Sequence, residues 1–195
     1  LLSVLDQDAS KSTSEIARSL KKGRDLINYR LKRLHEQRAI LRTTAIVDPY
    51  RFGFTLYKIY CRLHGSPHAR QGLLKNLAQH SHIFCISTTD GIWDLSFTLM
   101  ARHVRDFSEL QYALFSRFEK IVGVSSLAVI TSQQYFAHKQ FDPSARKTWI
   151  LGDEPDSIEY DDLDIKILNL LVHNARMPAT ELASKCKLST VVIKS

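Results

Sequence analysis

Two nine-residue stretches, EIARSLKKG (15–23) and ELASKCKLS (181–189), decide the fold of this chain. Each has the pattern of a short helix that ends in a lysine-containing turn. The stretches align without a gap at an offset of 166 residues (181 − 15), and the alignment extends over residues 1–29 and 167–195. This agreement in spacing predicts an internal repeat. Because the first copy starts inside a helix and the second stops inside one, we expect the chain to be part of a longer protein.

The first copy is predicted to be a helix-turn-helix. Ser12 and the two residues after it offer N-cap oxygens to a short helix over residues 15–20. A turn leads to a longer helix over residues 24–38, and Ala17 provides the small side chain that two closely approaching helices require. The alternating segment that follows, residues 39–48, predicts a short β wing.

The longer helix has an apolar side and a polar side. Its apolar side is formed by Ile27, Leu31 and Leu34, which recur at helical spacing. The opposite side suits DNA, because Arg and Asn make bidentate contacts to bases and Lys neutralises phosphates. We predict base contacts from Arg24, Asn28 and Tyr29, and phosphate contacts from Lys21, Lys22, Lys32 and Arg33. The alternative is a polar surface helix in a three-helix unit that does not bind DNA.

The formal charge of +7 is unevenly distributed along the chain. Residues 18–42 carry nine Lys or Arg and two acids, which favours a surface that faces a polyanion. Residues 153–164 carry seven acids and no base, which indicates a linker, with shielding of the basic helix as a second hypothesis. No apolar run is long enough to span a membrane, and three widely spaced cysteines predict neither a disulfide framework nor a zinc site. We therefore expect a cytoplasmic protein.

The middle of the chain changes to the periodicity of strands. The predicted elements are strands over residues 57–63, 82–88, 93–101 and 124–134, and helices over residues 67–79 and 107–118. This order, β-α-β-β-α-β, is that of the ferredoxin-like split fold. The predicted fold class is α+β.

A winged helix-turn-helix, the junction DPYRFG (48–53) and a βαββαβ unit containing TDGIWDL (89–95) together resemble the Lrp/AsnC transcription regulators. The resemblance implies a protein that binds double-stranded DNA and forms homodimers or higher homo-oligomers. It implies a DNA-binding domain over 1–50, a ferredoxin-like ligand-sensing and dimerisation domain over 51–141 and an incomplete second helix-turn-helix over 161–195, while the acidic run predicts a linker over 142–160. It also implies a small effector such as an amino acid, bound near Thr89, Asp90, Gly91, Trp93 and Asp94.

The chain departs from the family's pattern at the turn between the two helices. That turn usually reads Gly-Leu-Ser, whereas this chain has Lys-Lys-Gly at 21–23 and Lys-Leu-Ser at 187–189. A lysine in a left-handed turn costs about 1 kcal/mol relative to glycine, so we expect a less tight turn. Trp93 replaces the more usual Tyr, and the alternative to a ligand site is a tight hairpin at Gly91 with Trp93 in the core.

The second copy differs from the first at the positions that would read DNA. Its residues there are Thr190, Val191, Lys194 and Ser195, against Arg24, Asp25, Asn28 and Tyr29 in the first copy. The second copy is thus less basic. Three roles stay open for it: weak DNA binding, recognition of another sequence, or packing.

Two other functions compete with DNA binding. Sirohaem decarboxylases share the two-domain architecture, and residues 83–103 loosely resemble their sheet, with His82 and His103 as the nearest histidines. Neither histidine belongs to a recognisable catalytic cluster. The other hypothesis is a ligand-sensing module whose helix-turn-helix domains bind protein. Because no catalytic triad order, phosphate loop or metal-ligand spacing is present, we interpret the chain as a non-enzyme without a cofactor.

Overall fold

We describe a computed structural model of the chain that covers residues 1–153 and 157–194, with the side chain of residue 194 excluded. The helices are α1 (Leu2–Gln7), α2 (Thr13–Ser19), α3 (Arg24–Glu36), α4 (Pro67–Gln79), α5 (Val104–Phe118), α6 (Asp162–His173), α7 (Ala179–Cys186) and α8 (Thr190–Lys194). The strands are β1 (Thr55–Leu63), β2 (Ile83–Thr88), β3 (Leu95–Ala101), β4 (Val122–Ile130), β5 (Gln133–Phe136) and β6 (Thr148–Leu151).

The chain forms two compact units, and each is assembled from segments that are separated in the sequence. The helical unit contains residues 1–47, 135–149 and 159–195, and the sheet unit contains residues 48–134 and 150–158. The module boundaries expected at residues 50, 141 and 160 stay predictions. Part of the acidic run, residues 154–156, lies outside the described residues. Ser195, which was considered as a DNA-reading position of the second copy, also lies outside them.

The sheet unit is built on a four-stranded antiparallel sheet with the order β2-β3-β1-β4. Strand β1 lies between β3 and β4, so that Ile59 is opposite both Phe97 and Leu127. Helix α4 connects β1 to β2, and α5 connects β3 to β4. The predicted βαββαβ order and the α+β class are confirmed.

The core of the sheet unit lies between its central strands and its two helices. Strand β3 is buried along almost its whole length, because it has a neighbouring strand on each side. Phe97 and Leu99 are almost completely buried, and the ring of Tyr57 stacks on that of Phe107 at 4.2 Å. Leu73 and Leu77 bring the buried side of α4 into the same cluster.

Two predicted strands have different boundaries in the structure. The single strand predicted over 124–134 is wrong, because β4 ends at Ile130 and β5 begins at Gln133. Ile130 lies opposite Leu56 near the start of β1, so the partner strand ends there. Strand β5 instead pairs with β6, which the sequence pattern does not predict.

The β wing predicted over residues 39–48 is also wrong, since no strand forms in that segment. Its backbone finds partners in the last turn of a helix rather than in a neighbouring strand. The Ala45 N–H donates to the carbonyl of Leu171 at 3.2 Å, and the Thr43 carbonyl accepts from the Ala175 N–H at 3.1 Å. The segment is therefore extended and bound within the helical unit.

All three cysteine thiols are free. Cys61 and Cys186 are buried, whereas Cys85 is exposed. Burial raises the pKa of the Cys61 thiol to about 11, so this group stays protonated at neutral pH. Within the described part of the chain, no helix has the length and apolarity needed to cross a bilayer.

Gly152 and Gly72 provide a matched test of the backbone. Gly152 has a φ of 81°, and an added Cβ would lie 2.7 Å from the Thr131 carbonyl oxygen and 2.9 Å from the Tyr50 ring. We expect Gly152→Ala to lower the free energy of unfolding by about 2 kcal/mol or more. Gly72 lies inside α4 with open space around it, so Gly72→Ala should raise that free energy by about 0.5–1 kcal/mol.

Urea denaturation of both variants and the parent protein measures these two changes. Opposite signs are the expected result, since one methyl group meets backbone and the other fills empty space on a helix. Equal effects of the two substitutions would contradict the packing described around Gly152.

Candidate DNA-binding and ligand-binding sites

The first helix-turn-helix is fixed by local hydrogen bonds at both ends of α2. At its start, the Ser12 hydroxyl accepts from the Glu15 N–H, and the Glu15 carboxylate accepts from the Ser12 N–H at 2.7 Å. These bonds hold the pKa of the Glu15 carboxyl below its usual range. Ile16, Ala17 and Ile27 are buried and form the core between α2 and α3. The predicted cap and the predicted small residue both have the expected roles.

The turn after α2 places a lysine in a left-handed conformation. Lys21 has a φ of 50°, its N–H donates to Arg18, and the Lys22 N–H donates to the Ala17 carbonyl at 3.0 Å. This is the Schellman arrangement, which satisfies the last carbonyls of a helix. The lysine tolerates this strained position because two backbone bonds close the turn, and its side chain is exposed.

Helix α3 and the turn before it carry the residues predicted to contact DNA. All seven lie at the surface: Lys21, Lys22, Arg24, Asn28, Tyr29, Lys32 and Arg33. Ile27 on the opposite side is almost completely buried, which fixes the rotation of the helix. Lys32 forms an exposed ion pair with Glu36 at 3.8 Å, a contact of small energy that does not hold the lysine in place.

The structure separates these side chains into two groups. Tyr29 and Arg33 line a cavity of about 710 Å³ in the helical unit, together with Leu1 and Phe141. The other five are not among the residues lining this cavity. Tyr29 is 61% exposed, so it remains accessible from solvent despite this position. The sequence pattern does not predict this cavity, because Phe141 is distant in the chain.

The helices α6, α7 and α8 form a second helix-turn-helix in the same unit. Lys187 has a φ of 58°, its N–H donates to Ser184, and the Leu188 N–H donates to the Ala183 carbonyl at 2.9 Å. These bonds match those of the first turn at the offset of 166 residues. Val191 is 76% exposed at the start of α8. This helix thus presents an apolar side chain near the position where α3 presents charge.

The predicted ligand-binding residues occupy the exposed connection between β2 and β3. The Thr89 hydroxyl donates to the Trp93 carbonyl at 2.7 Å, and the Thr89 N–H donates to the Asp94 carbonyl at 3.0 Å. Gly91 has a φ of 155°, a conformation that side chains rarely adopt. Strand β3 begins only at Leu95, two residues later than predicted.

Asp94 joins this connection to the end of β1. Its carboxylate accepts from the Leu63 N–H at 2.8 Å and lies 3.7 Å from the Arg62 guanidinium. Arg62 also donates to the Gly91 carbonyl at 2.9 Å. The Trp93 ring lies 6.2 Å from that of Tyr60, and it is partly buried. The structure therefore brings the five predicted residues together, with Asp94 and Thr89 engaged in internal bonds.

The histidines considered for catalysis have structural partners. His103 is the N-cap of α5, where its N–H donates to the Asp106 carboxylate at 3.2 Å. His82 lies beside His80, whose pKa is lowered by burial and by the neighbouring His82. Among residues 1–153 and 157–194, no three His, Cys, Asp or Glu side chains cluster in a way that could hold a metal ion.

Comparison with known proteins points to one family. The model of the AsnC-type helix-turn-helix domain matches residues 161–194. The chain is 23% identical over 134 residues to an uncharacterized HTH-type transcriptional regulator from Pyrococcus horikoshii, covering 68% of this chain and 82% of the relative.

Solved structures share the fold. An AsnC family transcriptional regulator from Agrobacterium tumefaciens superposes with a TM-score of 0.63 at 12% identity, covering 71% of this chain and 93% of that one. A transcriptional regulator from Neisseria meningitidis in complex with L-Met gives a TM-score of 0.58 at 15% identity, covering 66% and 84%. The chain thus contains an AsnC-type helix-turn-helix at residues 161–194, and it is similar in sequence to an HTH-type transcriptional regulator and in fold to an AsnC family regulator.

Proposed function

We propose that the chain is a cytoplasmic, non-enzymatic transcription regulator that binds double-stranded DNA through its first helix-turn-helix. The observation that supports this most is the surface of α3 and the turn before it, where seven polar or cationic side chains are exposed opposite a buried Ile27. Helix N-termini of this kind enter the major groove in helix-turn-helix proteins. Arg24, Asn28 and Tyr29 then read base edges, while Lys21, Lys22, Lys32 and Arg33 contact phosphates.

Binding of labelled genomic duplexes tests this function. Fluorescence anisotropy over a roughly tenfold range of salt concentration should give an affinity that falls steeply as salt rises, because bound phosphates release counterions. The control is the Arg24→Ala, Asn28→Ala double variant, which removes two predicted base contacts but leaves the four predicted phosphate contacts from Lys21, Lys22, Lys32 and Arg33. It should lose preference among sequences more than it loses affinity. Absence of salt-sensitive binding by the parent protein overturns the proposal.

We further propose that the sheet unit forms a homodimer. Among the described residues, strand β4 is at one edge of the sheet and pairs only with β1. Val124, Leu127 and Val129 on this strand are 65%, 47% and 54% exposed. An edge strand with exposed apolar side chains favours association with another chain.

Light scattering of Val124→Lys, Val129→Lys tests the dimer. The expected result is a molecular mass that falls to that of one chain, because lysines on an edge strand oppose pairing. The matched control is Val104→Lys, Tyr112→Lys, which changes two exposed side chains on α5 and should leave the mass unchanged. A parent protein that is monomeric at all concentrations, or equal masses for both variants, contradicts the proposal.

A small effector is proposed to bind near the β2–β3 connection. The support is the clustering of Thr89, Gly91, Trp93 and Asp94, together with the L-Met complex of the Neisseria regulator that shares the fold. Thermal shift with L-methionine and the other amino acids tests it. Asp90→Ala should abolish any stabilisation, whereas Glu119→Ala, an exposed acid on another part of the unit, should retain it.

We infer that the two helix-turn-helix units are copies of one module. The support is the pair of matching turns, in which Lys21 and Lys187 both have positive φ. Each of these lysines and the residue after it donate equivalent backbone bonds in the two turns. Exchanging residues 15–23 for 181–189 tests this inference. The expected result is a folded protein with unchanged helix content by circular dichroism, because the buried positions of the two stretches are equivalent.

A further inference from the structure

Residues 43–45 cap the end of α6. The Thr44 hydroxyl donates to the Val172 carbonyl at 2.7 Å, and the Ala45 N–H donates to the Leu171 carbonyl at 3.2 Å. Both carbonyls belong to the last turn of α6, where a helix leaves its carbonyls without internal partners. The segment after α3 therefore satisfies two groups of the second helix-turn-helix that would otherwise need water.

Residues after α6 in turn donate hydrogen bonds to the first helix-turn-helix. The Ala175 N–H donates to the Thr43 carbonyl at 3.1 Å, and the Arg176 guanidinium donates to the Ala9 carbonyl at 2.9 Å. Ala9 follows α1 of the first helix-turn-helix. The contacts thus hold the segment between α1 and α2 at Ala9 and the segment after α3 at residues 43–45.

We propose that the second helix-turn-helix is the docking partner of the first, and that this pairing positions α3 for DNA. The proposal rests on the function proposed above. Helix α3 is linked to the bound segment through a short turn, in which the Ala39 and Ile40 N–H groups donate to the Leu34 carbonyl. Fixing that segment reduces the freedom that α3 must lose when it binds a duplex. Arg176 and Thr44 act here as positioning residues.

The exposed side chains of α8 differ in character from those of α3. Val191 is 76% and Val192 is 49% exposed, so the described part of α8 presents apolar side chains to solvent. Such side chains neither neutralise phosphates nor hydrogen-bond to base edges. In the pair, the first copy reads DNA and the second supports it.

Amide hydrogen exchange of the free protein tests the pairing itself. In the parent, the amides of Ala45 and Ala175 should be protected. In Thr44→Val, Arg176→Ala, exchange of both should rise about 25-fold, since each lost hydrogen bond weakens pairing about fivefold. The amide of Ile27 should keep its rate, which shows that the first unit is still folded. The control Thr88→Val, Arg105→Ala changes the same residue types in the sheet unit and should leave all these rates unchanged.

Duplex binding by the same variants tests the positioning role. The Thr44, Arg176 variant should bind DNA about fivefold more weakly, with an unchanged dependence on salt, because no phosphate contact is removed. Saturating DNA should also slow exchange at Ala45 in the parent, by the reciprocity of coupled equilibria.

The outcomes separate this inference from the proposed function. If the parent protein does not bind DNA, the proposed function is wrong, and so is the positioning role. Amide exchange in the free protein still decides whether the two helix-turn-helix units pair. Unprotected amides at Ala45 and Ala175 overturn the pairing. Equal DNA affinity after loss of protection overturns the positioning role. If the variant's slope of log affinity against log salt falls by about 0.9, the value for one phosphate contact, Arg176 contacts DNA directly. That result also overturns the positioning role.

Discussion

Replacing Lys32 and Arg33 with glutamine is expected to weaken binding to duplex DNA by about 60-fold near 0.1 M salt. Both side chains are exposed on α3, on the side away from the buried Ile27. Each phosphate contact contributes a slope of about 0.9 to the dependence of log affinity on log salt, so the loss of two should reduce the slope by about 1.8. Titrations at several salt concentrations give both quantities.

The control for this prediction removes the same type of charge elsewhere. Lys75 and Lys120 are exposed in the sheet unit, and their replacement by glutamine lowers the net charge by the same two units. A small effect of the control and a large one of the α3 variant assign binding to α3. Equal losses in both variants would mean that net charge alone attracts DNA, and the assignment of Lys32 and Arg33 would then be wrong.

The second large effect is expected for Phe97→Ala in the sheet unit. Phe97 is 1% exposed on the central strand β3, where it lies opposite Ile59 on one side and Ile86 on the other. Truncation leaves a cavity that neighbouring strands cannot close, so the free energy of unfolding should fall by about 3–5 kcal/mol. This is a large part of the roughly 5–15 kcal/mol that stabilises a typical domain.

Urea unfolding followed by circular dichroism and by tryptophan fluorescence measures this loss. Tyr112→Ala is the matched control, because this aromatic side chain is 76% exposed on α5 and its removal should change stability by no more than about 0.5 kcal/mol. A loss below about 1 kcal/mol for Phe97→Ala would contradict its place in the core.

Local patterns were sufficient for most elements of the fold. Helix α4 has the predicted bounds, and the Ser12 cap and the small Ala17 have the predicted roles, because each depends on residues within one turn of a helix. The alternation in β1 and β3 predicted these two strands, because residues two apart in a strand lie on the same face. The exposure of the proposed DNA contacts followed from the spacing of Ile27 and its apolar neighbours.

Long-range pairing explains the expectations that failed. A strand ends where its partner strand ends. Strand β4 therefore ends at Ile130, opposite Leu56 near the start of β1, although the sequence composition favours a longer strand. Alternation in residues 39–48 predicted a wing, but the backbone of Ala45 bonds to Leu171, which is 126 residues away (171 − 45). No local signal marks such a partner.

The sequence by itself determined the two helix-turn-helix patterns, their 166-residue offset and the chemical character of α3. These features depend on periodicity and side-chain type, which are local properties of the chain. Only the tertiary structure decided that residues 43–45 cap α6 and that Arg176 reaches Ala9. The physical reason is that unpaired helix carbonyls accept any suitable donor, and only the folded chain determines which donor arrives.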